Sequence, residues 1–113
     1  MRRDDWVRLR HMMDAARDAK SFIHGRRRSD LDDDRMLVLS LVKSLEIVGE
    51  AAARVSRETQ MEAPQIPWAD IVGMRNRLIH GYYEVDLDRV WDTIQDDLSP
   101  LMAALEELLA STE

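Results

Sequence analysis

The sequence predicts an all-α fold, an antiparallel bundle of four to five helices in one domain that spans residues 1–113. Apolar residues recur three or four positions apart along most of the chain, which is typical of helices with one buried face. No segment shows the apolar–polar alternation of a strand. The chain has only four Gly and three Pro, with 45% hydrophobic and 34% charged residues, a composition typical of a folded, helix-rich protein with one core.

The first predicted helix covers residues 4–24 and is followed by Gly25, a typical C-terminal stop. Ser29 is predicted to cap the second helix, with Asp32 at the capping-box position. The run M-L-V-L-S-L-V-K-S-L-E-I-V-G-E-A-A-A-R-V that follows is apolar on more than one face. Such a helix lies at the centre of a bundle, or is buried between the fold and a second subunit. The buried stripe of the first helix is predicted to include Trp6, Leu9, Met13, Ala16 and Ile23.

The second half of the chain predicts further helices separated by one loop. Residues 58–67, E-T-Q-M-E-A-P-Q-I-P, contain two prolines and are predicted to form that loop. Pro67 suits the first position of a third helix that ends at Gly81. Asp86 is predicted to cap a fourth helix, and the Ser-Pro step at Pro100 to kink the chain or restart it as a last helix.

The composition excludes several classes of function. The absence of cysteine excludes a disulfide framework and a thiolate metal site or nucleophile. The net charge of -6 argues against coating of nucleic acid by bulk electrostatics, so a nucleic-acid role requires a local basic patch. The arginines at 26–28 are expected to form a solvated loop. Because no apolar run reaches the ~18 residues of a membrane span, we expect a cytoplasmic protein with no membrane partner.

One segment, M-R-N-R-L-I-H-G-Y-Y, collects more polar and aromatic side chains than a helix end requires. Arg75 and Arg77 offer planar guanidinium groups that pair with phosphate. His80 can transfer a proton near neutral pH, and Asn76 and Tyr82 can hold a ribose hydroxyl or a phosphate oxygen. The segment is therefore a candidate phosphate-handling site.

A structural role for His80 is one alternative, because the last turn of a helix exposes carbonyls that favour a cation. His24 precedes Gly25 in the same way without such neighbours. On an ideal helix Arg77 is about 60° from His80 and Arg75 about 140°, so this geometry favours Arg77 as its partner. The three histidines lack metal-ligand spacing and no phosphate-binding glycine loop occurs, so we expect no metal and no cofactor.

The octapeptide R-N-R-L-I-H-G-Y matches the R-x-x-x-x-H-x-Y signature of the HepT-like toxins of the HEPN superfamily, with Arg75, His80 and Tyr82 on the three defining positions. The blocks L-E-I-V-G-E-A-A, I-P-W-A-D-I-V-G-M and D-L-D-R-V-W-D-T-I also resemble that family, so the resemblance extends over residues 30–101. It implies a HEPN-like, homodimeric, metal-independent endoribonuclease that serves as the toxin of a toxin–antitoxin pair.

The resemblance also implies roles and partners. By position, Arg75 and His80 would be catalytic and Asn76 would assist, while Arg77 is expected to bind RNA phosphate. The implied partners are RNA and a MntA-like nucleotidyltransferase antitoxin, which can silence such toxins by attaching AMP to the motif tyrosine, here Tyr82. A homodimer, alone or in a higher oligomer with the antitoxin, would bring two copies of the site to one cleft. The alternative function is a non-catalytic helical subunit that docks on a nucleotidyltransferase or positions its substrate.

Overall fold

The computed structural model describes residues 1–81 and 84–111, and every regular element within these ranges is helical. The helices are α1 (Arg3–Phe22), α2 (Asp30–Asp33), α3 (Arg35–Arg54), α4 (Arg57–Glu62), α5 (Trp68–His80), α6 (Leu87–Asp92) and α7 (Leu98–Ala110), with a π-helical turn (Thr93–Asp97) between α6 and α7. The predicted all-α class is confirmed. No helix in the described ranges combines the length and apolar content that a membrane crossing requires.

Helix α3 forms the centre of the molecule, because it packs against both α1 and α5. Its buried side chains Leu41, Leu45 and Val48 share one apolar core with Leu9 and Met12 of α1. Helix α7 packs on the same α1 and closes that core. Helix α3 therefore has the central position that was one of the two predicted alternatives, while Met36, Leu39 and Ile47 of the same helix remain exposed.

The first turn of α1 buries Asp5 and leaves Trp6 exposed, which reverses the predicted pattern. The Asp5 carboxylate accepts hydrogen bonds from the Ser56 amide at 2.8 Å, the Ser56 hydroxyl at 2.6 Å and the Thr59 hydroxyl at 2.7 Å. Burial acts to raise the pKa of Asp5, but these hydrogen bonds outweigh it and the pKa is lowered. The Trp6 ring lies instead under the Arg10 guanidinium, 5.9 Å from the ring centroid.

The predicted second helix is divided at Asp34. Ser29 occupies the predicted N-cap position of α2, but its side chain makes no capping hydrogen bond. The Asp34 carboxylate accepts from the Leu37 amide at 3.0 Å and so begins α3. This bond, supported by the Arg26 guanidinium at 3.1 Å, lowers the pKa of Asp34. A carboxylate is favoured at this position because it carries the charge that the positive end of a helix stabilises.

The predicted loop over residues 58–67 is wrong in its first half, where the chain forms α4. The Ser56 hydroxyl accepts from the Thr59 amide at 3.3 Å and caps this helix. The two prolines restrict only themselves and the residue before each, so they do not prevent a helix that ends upstream. Pro67 then occupies the N-cap of α5 rather than its first helical position, and Trp68 begins the helix.

The end of the chain follows the prediction in outline. Asp86 caps α6 by accepting from the Arg89 amide at 3.1 Å, as predicted. The kink or restart that was predicted at Pro100 is found just before it as a π-helical turn, in which the Leu98 amide donates to the Thr93 carbonyl five residues earlier. Pro100 lies in the first turn of α7, where its missing N–H is tolerated.

Candidate active site

Helix α5 carries four of the five predicted site residues and ends at the last of them, His80. The Gly81 amide donates to the Arg77 carbonyl at 2.9 Å and closes the final turn. The His80 side chain is exposed and makes no hydrogen bond or ion pair with another residue of the described ranges. Arg75 precedes it by five residues, which is about 7.5 Å of helix rise. Tyr82, the fifth predicted residue, lies outside the described residues.

Arg75 and Asn76 form a pair on α5. Arg75 is half-buried, and its Nη1 donates a hydrogen bond to Oδ1 of the exposed Asn76 at 2.8 Å. The Nε of Arg75 is buried and has no hydrogen-bond partner in the described part of the chain. A buried donor without a partner is costly, because the hydration it loses is not replaced. The hydrogen bond to Asn76 orients the guanidinium, and its Nη2 has no hydrogen-bond partner within the described ranges.

The structure separates Arg77 from Arg75. Arg77 lines a groove of about 670 Å³ between α5 and the α6–α7 side of the molecule, and Arg89 of α6 lines the same groove. Neither guanidinium is hydrogen-bonded or ion-paired to a residue within 1–81 or 84–111. Sequence reasoning missed Arg89, because only the packing of the helices brings it beside the motif. The remaining lining includes Leu45, Val48, Ile66, Met74, Leu98 and Leu101, with the carboxylates of Asp70 and Asp97.

The arginine-rich loop after α1 has a structural role instead. Arg28 donates to Asp88 at 2.6 Å and to Asp32 at 3.1 Å, and the hydrogen bond to Asp88 contributes most to raising the pKa of Arg28. Arg26 is paired with Asp34. Two arginines of the loop are thus neutralised by carboxylates and tie it to α3 and α6. In the described ranges, no group of three or more His, Asp or Glu side chains is placed to hold a metal ion.

Large apolar side chains are exposed on α3 and on α5, the helix that carries the motif and packs against α3. Met36 is 80% exposed and Leu39 53% exposed, and Ile47 continues the same face of α3. Helix α5 adds the exposed Ile79, directly before His80. An apolar surface of this kind on a small protein is typical of an interaction site.

The fold and the motif together define a class: an all-helical protein with an arginine and a histidine one and a half turns apart at the end of one helix. The family model described as "Ribonuclease HepT-like" matches residues 12–108. The chain therefore belongs to the HepT-like ribonuclease family.

Individual relatives agree with that assignment. A protein from Thermococcus cleftensis named "Probable ribonuclease HepT" is 33% identical over 75 residues, which cover 66% of this chain and 68% of the relative. A protein from Caldanaerobacter subterraneus subsp. tengcongensis, provisionally named as an RNase, is 36% identical over 80 residues, or 71% of each chain. A third, from Methanocaldococcus jannaschii and also provisionally named as an RNase, is 27% identical over 93% of this chain and 96% of its own. No solved structure matches significantly.

Proposed function

We propose that this protein is a metal-independent endoribonuclease and the toxin of a toxin–antitoxin pair, built as a single HEPN-like domain. The observation that carries the proposal is the arrangement on α5, where an oriented, half-buried Arg75 precedes by about 1.4 turns an exposed His80 that has no partner within residues 1–81 and 84–111. Membership of the HepT-like ribonuclease family and the names of the relatives support RNA as the substrate class.

The proposed reaction uses the 2′-hydroxyl of RNA as the nucleophile. His80 accepts the 2′-hydroxyl proton, the 2′-oxygen forms a bond to phosphorus, and the bond from phosphorus to the 5′-oxygen breaks. A proton is delivered to the departing 5′-oxygen, which leaves a cyclic phosphate and a 5′-hydroxyl end. Arg75 stabilises the negative charge on the pentacovalent phosphate. One imidazole supplies one proton transfer at a time, so the second transfer requires another acid.

A homodimer supplies that second acid from its own His80. The exposed apolar residues Met36, Leu39 and Ile47 of α3 and Ile79 of α5 are the surface we propose for the dimer contact. A two-fold axis near the end of α5 would place two copies of His80 and Arg75 in one cleft. Pairing the guanidinium groups in this way would also concentrate positive charge locally on a chain with a net charge of -6.

The groove that contains Arg77 and Arg89 offers a second contact for RNA. Both guanidinium groups are free of carboxylate partners within the described ranges, and the apolar wall can cover the face of a base. Arg77 lies about one turn of α5 before His80, so a chain held there continues toward the proposed reaction centre. We therefore propose that Arg77 binds substrate phosphate beside the catalytic pair rather than within it.

Silencing by a MntA-like nucleotidyltransferase antitoxin is the regulatory part of the proposal. In sequence Tyr82 lies two positions after His80, so AMP attached to it would add a phosphate next to the imidazole and compete with the RNA backbone. Mass spectrometry of the protein co-expressed with its antitoxin should locate the added AMP on Tyr82. Modification confined to other residues would contradict this assignment.

The decisive experiment is RNA cleavage in the presence of a chelator, comparing the wild type with His80→Ala and Arg75→Ala. Each variant should lose at least about 100-fold in kcat/KM, which is the usual range for a general acid–base group or an oriented cation. His24→Ala is the matched control, because His24 is also exposed and directly precedes a glycine after a helix. Cleavage by His80→Ala at the wild-type rate would refute the proposal. A wild type that binds the nucleotidyltransferase without cutting RNA would favour the docking subunit instead.

A further inference from the structure

Helices α3 and α5 approach closely where Gly49 meets Arg75. A Cβ atom placed on Gly49 would overlap the Cβ of Arg75, and it would lie 2.9 Å from the Cγ of Arg75 and 3.1 Å from the carbonyl oxygen of Ile71. Backbone atoms and a Cβ cannot move aside as the end of a flexible side chain can. The observed packing of α5 on α3 therefore requires a residue without a side chain at position 49.

Gly49 occupies a position where glycine is otherwise unfavourable. It lies well inside the 20-residue helix α3, is buried, and precedes the helix-favouring Ala51 and Ala52. Glycine is the poorest helix former after proline, because its backbone loses the most freedom. A glycine within an apolar helical run is a sequence signal of close packing, but no contact was predicted for Gly49 from the sequence.

The contact with Gly49 restrains Arg75, the side chain that we propose stabilises the phosphate. The first two side-chain carbons of Arg75 lie against the Gly49 backbone, and Nε is buried beyond them. Further along the side chain, Nη1 is held by Oδ1 of Asn76 at 2.8 Å. Arg75 is therefore restrained at both its base and its tip. A charged group that is already oriented stabilises a transition state without further reorganisation.

We propose that Gly49 is a positioning residue for Arg75: by allowing α5 to touch α3, it sets the place from which the guanidinium contacts the scissile phosphate. This inference rests on the proposed function, since it assumes that Arg75 contacts RNA. It adds a residue of another helix, outside the R-x-x-x-x-H motif, to the determinants of the reaction.

The test is Gly49→Ala with Gly73→Ala as its matched control. In Gly49→Ala the added methyl displaces Arg75, and a displacement of about 1 Å lowers kcat about 10- to 100-fold, with KM changed less than threefold. Gly73 is also inside a helix, but among the described residues a Cβ there meets only Nη1 of Arg77, at the ordinary contact distance of 3.8 Å, so Gly73→Ala should keep kcat within twofold. A Gly49→Ala enzyme with kcat within twofold of wild type would overturn the proposal.

A general loss of stability is separated from loss of positioning by two further measurements. Ile94→Val removes one methyl from a fully buried side chain that does not belong to α3 or α5. Well below its Tm, this variant should keep kcat per folded molecule, whereas Gly49→Ala should not. Equal losses in the two variants would reduce the role of Gly49 to stability and overturn the proposal.

Hydrogen exchange at the Arg75 side chain provides a test that is independent of catalysis. The buried Nε proton of Arg75 should exchange slowly with solvent in NMR spectra of the wild type, and Gly49→Ala should remove that protection. If Gly49→Ala does not fold, its cost should be much smaller in an Arg75→Gly background, measured against Arg75→Gly alone, because the overlap with the Arg75 side chain is gone and only the 3.1 Å approach to the Ile71 carbonyl remains. Persistent destabilisation in that background would overturn the proposal. If the wild type cuts no RNA, the proposed function fails, while the exchange and folding data still decide whether Gly49 positions Arg75.

Discussion

At the scale of single residues, the candidate site depends on which neighbours the motif side chains acquire. Arg75 and Asn76 are adjacent in sequence and hydrogen-bonded to one another, so part of the site is set locally. Arg77 belongs to the same motif but lies in a groove with Arg89. The two motif arginines therefore differ in environment, and we assign the transition-state phosphate to Arg75 and a substrate contact to Arg77.

Asn76 is predicted to support RNA cleavage by orienting the guanidinium of Arg75. Asn76→Ala removes the acceptor that orients Nη1, and a hydrogen bond to a charged group contributes about 1.5–3 kcal/mol, so kcat/KM should fall about 10- to 100-fold. Asn76→Asp keeps the acceptor but adds negative charge beside the phosphate, and it should raise KM more than alanine does. Steady-state cleavage kinetics check both variants. Activity of Asn76→Ala within twofold of wild type would contradict the role of this pair.

At the scale of helices, carboxylates cap the starts of α3 and α6. Asp34 accepts from the Leu37 amide and Asp86 from the Arg89 amide, where helix geometry leaves amides unsatisfied. Asp5 accepts from the Ser56 amide just before α4, which the Ser56 hydroxyl caps. These three aspartates therefore have a structural use.

Asp34, which caps α3, can be compared directly with Ser29, whose side chain makes no capping hydrogen bond. Asp34→Ala removes the acceptor for the Leu37 amide and should lower the Tm by about 5 °C. Ser29→Ala removes a hydroxyl that makes no capping bond, so its Tm should stay within about 1 °C of wild type. Thermal denaturation followed by circular dichroism measures both. An equal effect of the two substitutions would contradict the assignment of Asp34 as the cap.

At the scale of the whole molecule, the buried Asp5 links the first turn of α1 to the start of α4. Its pKa is lowered in the folded protein, so its contribution to stability is present above the ordinary value of about 3.9 and is lost as the pH falls through the folded pKa. The pH at which acid unfolds the protein should therefore depend on the Asp5 carboxylate more than on exposed carboxylates.

Asp5→Asn is the corresponding prediction. At pH 7 the substitution should cost about 2 kcal/mol, because three donors lose a charged acceptor. Below pH 4 the difference from wild type should shrink, since the wild-type carboxyl also becomes neutral. Urea denaturation at pH 7 and pH 3 measures it, with the exposed Asp4→Asn as control. A difference that stays constant with pH would show that the charge of Asp5 is not the cause.

The proposed dimer is also a property of the whole molecule. Leu39→Glu places a charge on the exposed apolar face of α3 and should convert the dimer to monomer in sedimentation experiments. Met61→Glu is the matched control, because Met61 is 70% exposed but lies on α4, and this variant should remain dimeric. Leu39→Glu should lose RNA cleavage together with its ability to dimerise, since the proposed cleft uses two copies of His80. A wild type that sediments as a monomer would remove the basis for the shared cleft.

The sequence allowed the all-α class, the positions of the long helices and the R-x-x-x-x-H segment to be predicted, because helical periodicity and motif spacing are local properties. The helix end at Gly81 and the cap at Asp86 were predicted for the same reason. The caps at Ser29 and Asp34 were confused because three aspartates follow one another there, and the backbone geometry selects among them.

Sequence by itself determined that this chain is helical, that it resembles the HepT-like family and that an arginine and a histidine share one helix end. Only the tertiary structure decided that Gly49 lies beneath Arg75, that Arg77 and Arg89 line one groove, and that Asp5 is buried. Each of these arrangements joins residues from different helices. Such contacts depend on how whole helices cross, and no periodicity within one helix specifies the distance at which it passes another.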